Sequence, residues 1–426
     1  MFSKSFRVFH VLLSFLVIFS YLLPLLKVGS STFFKPDYLI LLIIDLIIIL
    51  SWNQVSSIKL IRRFYLLFIL IFIGTLISNY ISGYYYLKGS NFRIPLTVIL
   101  IFNKISSFTY FAILIYKGII SYKTIIRITS IVFILAGLFG AFQFLDLLGA
   151  KDLALKYYID ETGVQGQVFL IANRITGVSS AVISWGGCSL LMFYFFYYLE
   201  KNNALKITGI ILSVLNIVGT ASRASLFAFI ASFILIMIIK VVFVDKKLIS
   251  LFKAISILIL MLIGGWLVLK TYLPEQVEFL EMRIGQTEDA MTVSGRGEQL
   301  EYFSNLLGED PFGYVFGVGD SVIVEYGFLE VDYAYIFVGF GIVGFVLHYL
   351  LLYFLIKEVS KFKSLASDLY LFTFASTLGY LIFSIGFFFF YEIYMGLPYW
   401  WLNGIVVGML WKLKKEQSLK IERDLI

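Results

Sequence analysis

Apolar runs of about 17–25 residues recur from one end of this chain to the other, each long enough as a helix to cross a hydrocarbon layer roughly 30 Å thick. A backbone in such a layer meets no water, so it must satisfy its own N–H and C=O groups, which a helix does. The runs fall near 8–26, 38–55, 64–80, 94–116, 128–148, 178–199, 207–219, 224–243, 251–273, 333–356, 368–390 and 395–412. With 60% hydrophobic and 14% charged residues, a soluble fold of 426 residues has too little interior to hide this surface. The sequence therefore reads as an all-α integral membrane protein with about 12 transmembrane helices. It forms one polytopic domain, residues 1–426, with one long external loop, 274–332, that contains short helices. The first run lacks a small-residue cleavage site and is followed at once by others, so it reads as a retained anchor.

Basic residues set the orientation. With the amino terminus inside, Lys4, Arg7, Lys59, Arg62, Arg63, Lys117, Lys123, Arg127 and the tail from Lys412 to Arg423 all face the cytoplasm. On that choice, inside Lys and Arg outnumber outside ones about two to one, which the positive-inside rule reads as orientation, with both termini cytoplasmic. The net charge of +7 needs no nucleic-acid partner, because these residues lie in short loops beside anionic headgroups. Cys188 is the sole cysteine, which excludes an intramolecular disulfide and a Cys-rich metal site.

Polar residues inside apolar runs come next. Asp45 and Lys104 lie near the middle of the second and fourth runs at similar depth, and a charge there is costly unless paired or hydrated. A structural ion pair between them, a proton or ion pathway, and contact with a substrate cavity are the three readings. The seventh run, 207–219, is short, rising about 20 Å as a helix. It ends in Thr220-Ala221-Ser222-Arg223, where Ser222 suits a helix N-cap and puts Arg223 in the first turn of the next helix. Unpaired N–H groups and a guanidinium at a helix start suit a phosphate or pyrophosphate. Arginines snorkelling to the interface are the plainer reading.

That setting recurs. Arg174 stands just before the sixth run, and Arg296, in Ser294-Gly295-Arg296, opens a segment whose Leu300, Phe303, Leu306 and Leu307 share one face of an amphipathic helix. The external loop is acid-rich, from Glu275 through Glu298, Glu301 and Asp320 to Glu330 and Asp332, against Arg283 and Arg296 alone. Glu330 and Asp332 precede the tenth run, which opens Tyr333-Ala334-Tyr335. They suit helix capping or, partly desolvated, a general base. The glycines of Gly313-Tyr314-Val315-Phe316-Gly317-Val318-Gly319 lack the strand–turn–helix context of a nucleotide loop and read as turns.

Taken together, Thr220-Ala-Ser-Arg223, Ser294-Gly-Arg296, the aromatic helix after it, Pro311-Phe-Gly-Tyr-Val-Phe-Gly317-Val-Gly319 and Gly339-Phe-Gly341-Ile-Val-Gly344 resemble the O-antigen polymerase and ligase superfamily over roughly residues 160–350. The resemblance implies a GT-C-like architecture and a metal-independent glycosyltransferase without cofactor. It would work at the outer face of a bacterial inner membrane on glycans carried by undecaprenyl pyrophosphate. Donor and acceptor lipid-linked oligosaccharides, membrane lipid and a chain-length regulator protein are the partners it implies. The ligase branch carries a histidine–asparagine pair where Glu330-Val331 stands here. His10 and His348 fall near the cytoplasmic ends of their runs, so the pattern favours a Wzy-type polymerase. Arg174, Arg223 and Arg296 would hold the diphosphate, and Asp332, then Glu330, would accept the acceptor's proton. Lys104, Arg283, Tyr333 and Tyr335 would line the substrate cavity. A ligase or protein O-oligosaccharyltransferase is the alternative, and a lipid-linked oligosaccharide flippase or other transporter a second.

Overall fold

The computed structural model describes residues 4–24, 26–28, 32–85, 96–159, 174–241 (save 180), scattered positions from 252 to 282, 296–309, 312–319, 322–323, 329 and 331–424. The described chain is helical apart from one antiparallel hairpin, β1 (Leu26–Val28) and β2 (Thr32–Phe34), in which Lys27 faces Phe33. Helices α1 (Lys4–Ser20), α2 (Asp37–Leu50), α3 (Trp52–Val55), α4 (Lys59–Tyr85), α5 (Leu96–Tyr116), α6 (Tyr122–Phe144) and α7 (Ala150–Tyr157) come first. Then follow α8 (Val182–Tyr198), α9 (Asn203–Gly219), α10 (Arg223–Lys240), α11 (Arg296–Glu309), α12 (Gly313–Phe316), α13 (Asp332–Ser360), α14 (Ser367–Phe383) and α15 (Ile393–Asp424). Among the described residues, five helical segments are long and apolar enough to cross a membrane: Lys59–Tyr80, Val98–Tyr116, Tyr122–Phe144, Arg223–Lys240 and Asp332–Ser360. The run expected over 251–273 lies largely outside the described residues.

Two boundaries differ from the sequence reading. The second run is not one helix: it breaks at Ser51, leaving α2 with 14 residues before the short α3. The seventh begins four residues early, because the Asn202 side chain caps it by accepting from Leu205 N at 3.1 Å. Its 17 residues rise about 25 Å rather than 20 Å.

The chain divides into two compact units, residues 1–133 with 296–373 and 384–426, and residues 134–295 with 374–383. In the first, α5 and α15 pack closely together. A methyl group on Gly404 would come within 2.3 Å of Phe108 O, and one on Gly408 within 2.4 Å of Ala112 O. Two glycines four residues apart thus seat α15 against the α5 backbone, as small residues do between membrane helices. The pairing Lys104–Gly396, Phe108–Gly404, Ala112–Gly408 runs in the same direction on both, so the helices are parallel. Trp400 and Trp401 are each 1% exposed and pack on Phe64 and Phe111. They are core residues and not an interfacial aromatic belt, because both sides of α15 are covered.

The same unit contains an interrupted helix. Gly341, inside α13, has φ 63° and ψ −170°. The turn before the break leaves carbonyls without the usual helical partner, and the segment after α12 supplies donors: Val318 N–H bonds Val338 O at 2.8 Å and Gly319 N–H bonds Gly339 O at 3.1 Å. The backbones touch so closely that a methyl on Gly317 would meet Gly339 C at 2.4 Å, and one on Gly341 would meet Val315 C at 2.3 Å. Ser78 of α4 closes the contact by donating to Gly339 O at 3.0 Å. These glycines, read as turns from the sequence, serve backbone-to-backbone docking on a broken helix.

In the second unit α8 is buried at nearly every position and packs on α9 and α10, with Phe193 edge-on to Phe229 at 4.8 Å. Asn216 ties α8 to α9 and α6: its Oδ1 accepts from Trp185 Nε1 at 2.8 Å and its Nδ2 donates to Gly137 O at 2.9 Å.

Candidate functional site

In the second unit, two of the arginines singled out by sequence are carried on touching segments. Ser222 caps α10, its hydroxyl accepting from Ser225 N at 3.4 Å, and Arg223 is the first helical residue, as the sequence led us to expect. The turn before it is tight, with Ala221 in the left-handed region at φ 46°. Arg174, 7% exposed, donates through Nε to Thr220 O at 2.7 Å, three residues before Arg223, and Ile175 N–H bonds Gly219 O at 3.3 Å. One face of the Arg174 guanidinium is thereby fixed against the end of α9. Arg223 is half-buried at a helix N-terminus, where the backbone dipole adds positive potential.

Gln143 holds the segment that follows Arg174. Fully buried in α6, it accepts from Thr176 N and Gly177 N, both at 3.0 Å, and donates to Gly177 O at 3.0 Å. Sequence reasoning passed over both Gln143 and Asn216; the signal was there, a lone carboxamide inside an apolar run, which burial forces to find partners.

A second cluster lies within the first unit. Asp332 opens α13, is 0% exposed, and accepts from Phe389 N–H at 3.0 Å, while its own N–H bonds Ser384 O at 3.2 Å. The Phe390 N–H and the Ser384 hydroxyl also face its carboxylate. Lys104, 2% exposed, donates to Phe390 O and sits in the field of Glu392 and Asp332. A methyl on Gly396 would lie 2.6 Å from its ammonium, so α15 gives it room only by having no side chain there. Glu392 in turn accepts from Met395 N–H at 2.7 Å at the start of α15. The connection 384–392 is thus tied at Phe389 and Phe390 to the buried Asp332 carboxylate and Lys104 ammonium. Beside it, Lys35 pairs with Asp37 at 2.8 Å and lies 4.1 Å from the Tyr394 ring.

This corrects the pairing considered for Asp45. Lys104 donates to Phe390 O, with Glu392 and Asp332 as nearby opposite charges, whereas Asp45 takes Asn103, whose carboxamide, turned nitrogen-inward, donates to Asp45 Oδ2 at 2.7 Å. Among the described residues no ion pair joins Asp45 to Lys104. Neighbours in a helix point about 100° apart; Asn103 faces α2, and Lys104 faces α15.

His348 also belongs here, beside the connection ahead of α15 and not towards the far end of its run. Its Nδ1 donates to Gly344 O at 2.6 Å, so Nε2 accepts from the Tyr391 hydroxyl at 2.6 Å. Tyr335 stands 5.2 Å from the Tyr391 ring and 5.4 Å from Phe388, and Tyr333 stacks on Tyr349 at 5.5 Å. Of the sequence-selected residues, Lys104, Asp332 and Tyr335 therefore share one connection. Arg174 and Arg223 share another site in the other unit. Arg296 opens α11, whose Phe303 and Leu307 are buried while Glu298, Glu301 and Asn305 are exposed, the face expected of it. The Arg296 side chain, Arg283 and Glu330 lie outside the described residues. In comparison with known proteins, no family model matches the chain and no curated protein matches it in sequence.

Proposed function

We propose that this chain is a glycosyltransferase of the O-antigen polymerase type, with about 12 spans in a GT-C-like arrangement, both termini cytoplasmic and its active face outside the inner membrane. It transfers a growing glycan from undecaprenyl pyrophosphate to the non-reducing end of another lipid-linked repeat unit. The observation that carries this reading is the Arg174–Thr220 contact, which brings one guanidinium to the turn that presents the other at a capped helix start. Departure of a diphosphate builds negative charge on the bridging oxygen, and fixed cations at a recessed helix end stabilise it without reorganising. The parallel pairing of α5 with α15 agrees with both being even-numbered spans.

The acceptor hydroxyl needs a base. Asp332 is buried with its carboxylate turned to the 384–392 connection, which suits ordering of α13 more than contact with a sugar. We therefore assign the base to Glu330, two residues earlier in the sequence, and to Asp332 the ordering of the start of α13. Replacing each in turn, Glu330→Gln should stop chain growth in cells at normal protein abundance. Normal polymer in Glu330→Gln together with none in a stably inserted Asp332→Asn would return the role to Asp332.

A second reading has its own support. An interrupted α13 with Lys104 and Asp332 buried and the half-buried Glu392 nearby is the kind of arrangement that transporters use near the membrane midplane. Deleting the gene separates the two. A polymerase leaves single-repeat glycan exposed outside in place of long chains, whereas a flippase leaves the unit trapped inside. Purified protein that flips a labelled lipid-linked unit in vesicles without lengthening it would overturn the enzymatic reading.

A further inference from the structure

A cavity of about 540 Å³ lies between α1, α2–α3 and the end of α5, within the first unit and apart from both charged clusters. Three helix faces build it. Phe6, Phe9 and His10 recur on one side of α1, Ile47, Ile48 and Ser51 on one side of α2, and Tyr110, Ile113, Leu114 and Lys117 on one side of α5, each at three- and four-residue spacing. Its volume falls in the range of about 300–1,000 Å³ common for small-molecule sites. The lining is sorted by polarity. Gln54 gathers the polar end: Lys117 Nζ donates to its Oε1 at 3.3 Å, and the Ser57 hydroxyl donates to its carbonyl at 2.8 Å. Away from that end the walls are mostly apolar, interrupted by His10 and Tyr110, which satisfy each other in a hydrogen bond at 3.1 Å, and Phe9 is 48% and Leu50 86% exposed at the edge.

We propose that this cavity holds an anionic phospholipid, an acyl chain against α1, α2 and α5 and the phosphate at Lys117. Charge complementarity selects the occupant. The polar end carries an ammonium, and the helices that follow α3 and α5 in the chain open with further cations, Lys59 and Arg62 in α4 and Lys123 and Arg127 in α6. An amphiphile with one negative head and an apolar tail matches that division, and the bilayer around the helices supplies it. The end of α5 is shaped for this: Gly118, at φ 67°, turns the chain so that Ile119 N–H bonds Leu114 O at 2.9 Å, which leaves Lys117 at the rim. The site does not depend on the glycosyltransferase reading.

The test is native mass spectrometry of the full chain in mild detergent, exchanged with phosphatidylglycerol or with phosphatidylcholine of the same acyl length. The wild type should retain one phosphatidylglycerol about fivefold better than phosphatidylcholine, the factor expected for one basic residue near the headgroup. Lys117→Gln should abolish that preference while keeping phosphatidylcholine retention. Ile113→Trp, and Ile47→Trp where the first does not fold, should fill the cavity and lose both lipids. Phosphatidylglycerol held as in the wild type by whichever tryptophan variant folds overturns the proposal. So does displacement of the lipid by inorganic phosphate alone, which would mean a headgroup site without a tail, or a co-purifying polypeptide in place of the lipid.

Discussion

Lys104 shows how a single residue decides the reading of its neighbourhood. Its ammonium is buried against Phe390 O with Asp332 and Glu392 as counter-charges, and removing one member of such a set leaves the others uncompensated. Breaking a buried pair from one side typically costs about 3–5 kcal/mol. Lys104→Ala should therefore destabilise the protein by about 3 kcal/mol in a detergent melt, and Lys104→Met with Asp332→Asn by clearly less. Equal losses in both would show that the two charges do not support each other. Gln143 makes the neighbouring case. Gln143→Leu strips the partner from Thr176 N and Gly177 N, at about 2 kcal/mol, and should loosen the Arg174 segment to added protease. That Lys104 mattered was legible from its position in an apolar run. Its partner was not, because Asp332 stands 228 residues away along the chain and only packing of α13 and α15 brings it near.

Helix positions were legible from hydropathy wherever the run was long and its ends were capped. Ser222 told where α10 begins; Asn202 does the same for α9, but it stands ahead of the apolar run that opens at 207. The break in α13 was not legible. Gly339-Phe-Gly341 reads as ordinary small residues in a span, and its purpose appears only when Val318 and Gly319 bond to the carbonyls it exposes. Gly341 combines a left-handed φ with a backbone 2.3 Å from where its Cβ would stand, so Gly341→Ala has no relaxed geometry. It should cost at least about 2 kcal/mol, near the middle of the range for strained backbone. Gly74→Ala, whose Cβ meets nothing within 4 Å, is the control and should be near neutral. A Gly341→Ala variant that melts like the wild type would mean that the two backbones do not dock as described.

For the molecule as a whole, apolar runs and basic loops were enough to recognise a helical protein with several membrane-crossing segments. The chemistry was written in short motifs whose meaning depends on what they touch. The structure joins two of these, Arg174 to the turn before Arg223 and the 313–319 glycines to Gly339–Gly341, each within one compact unit. The proposed diphosphate cradle is the claim on which the functional account stands. Its most direct measurement is titration of the purified full chain with undecaprenyl pyrophosphate, wild type against Arg223→Ala and Arg223→Lys. Loss of a charge-assisted, bidentate contact should weaken binding by about tenfold or more in Arg223→Ala, with Arg223→Lys recovering only part because a point charge cannot fork two oxygens. Equal affinity in all three proteins would contradict the account.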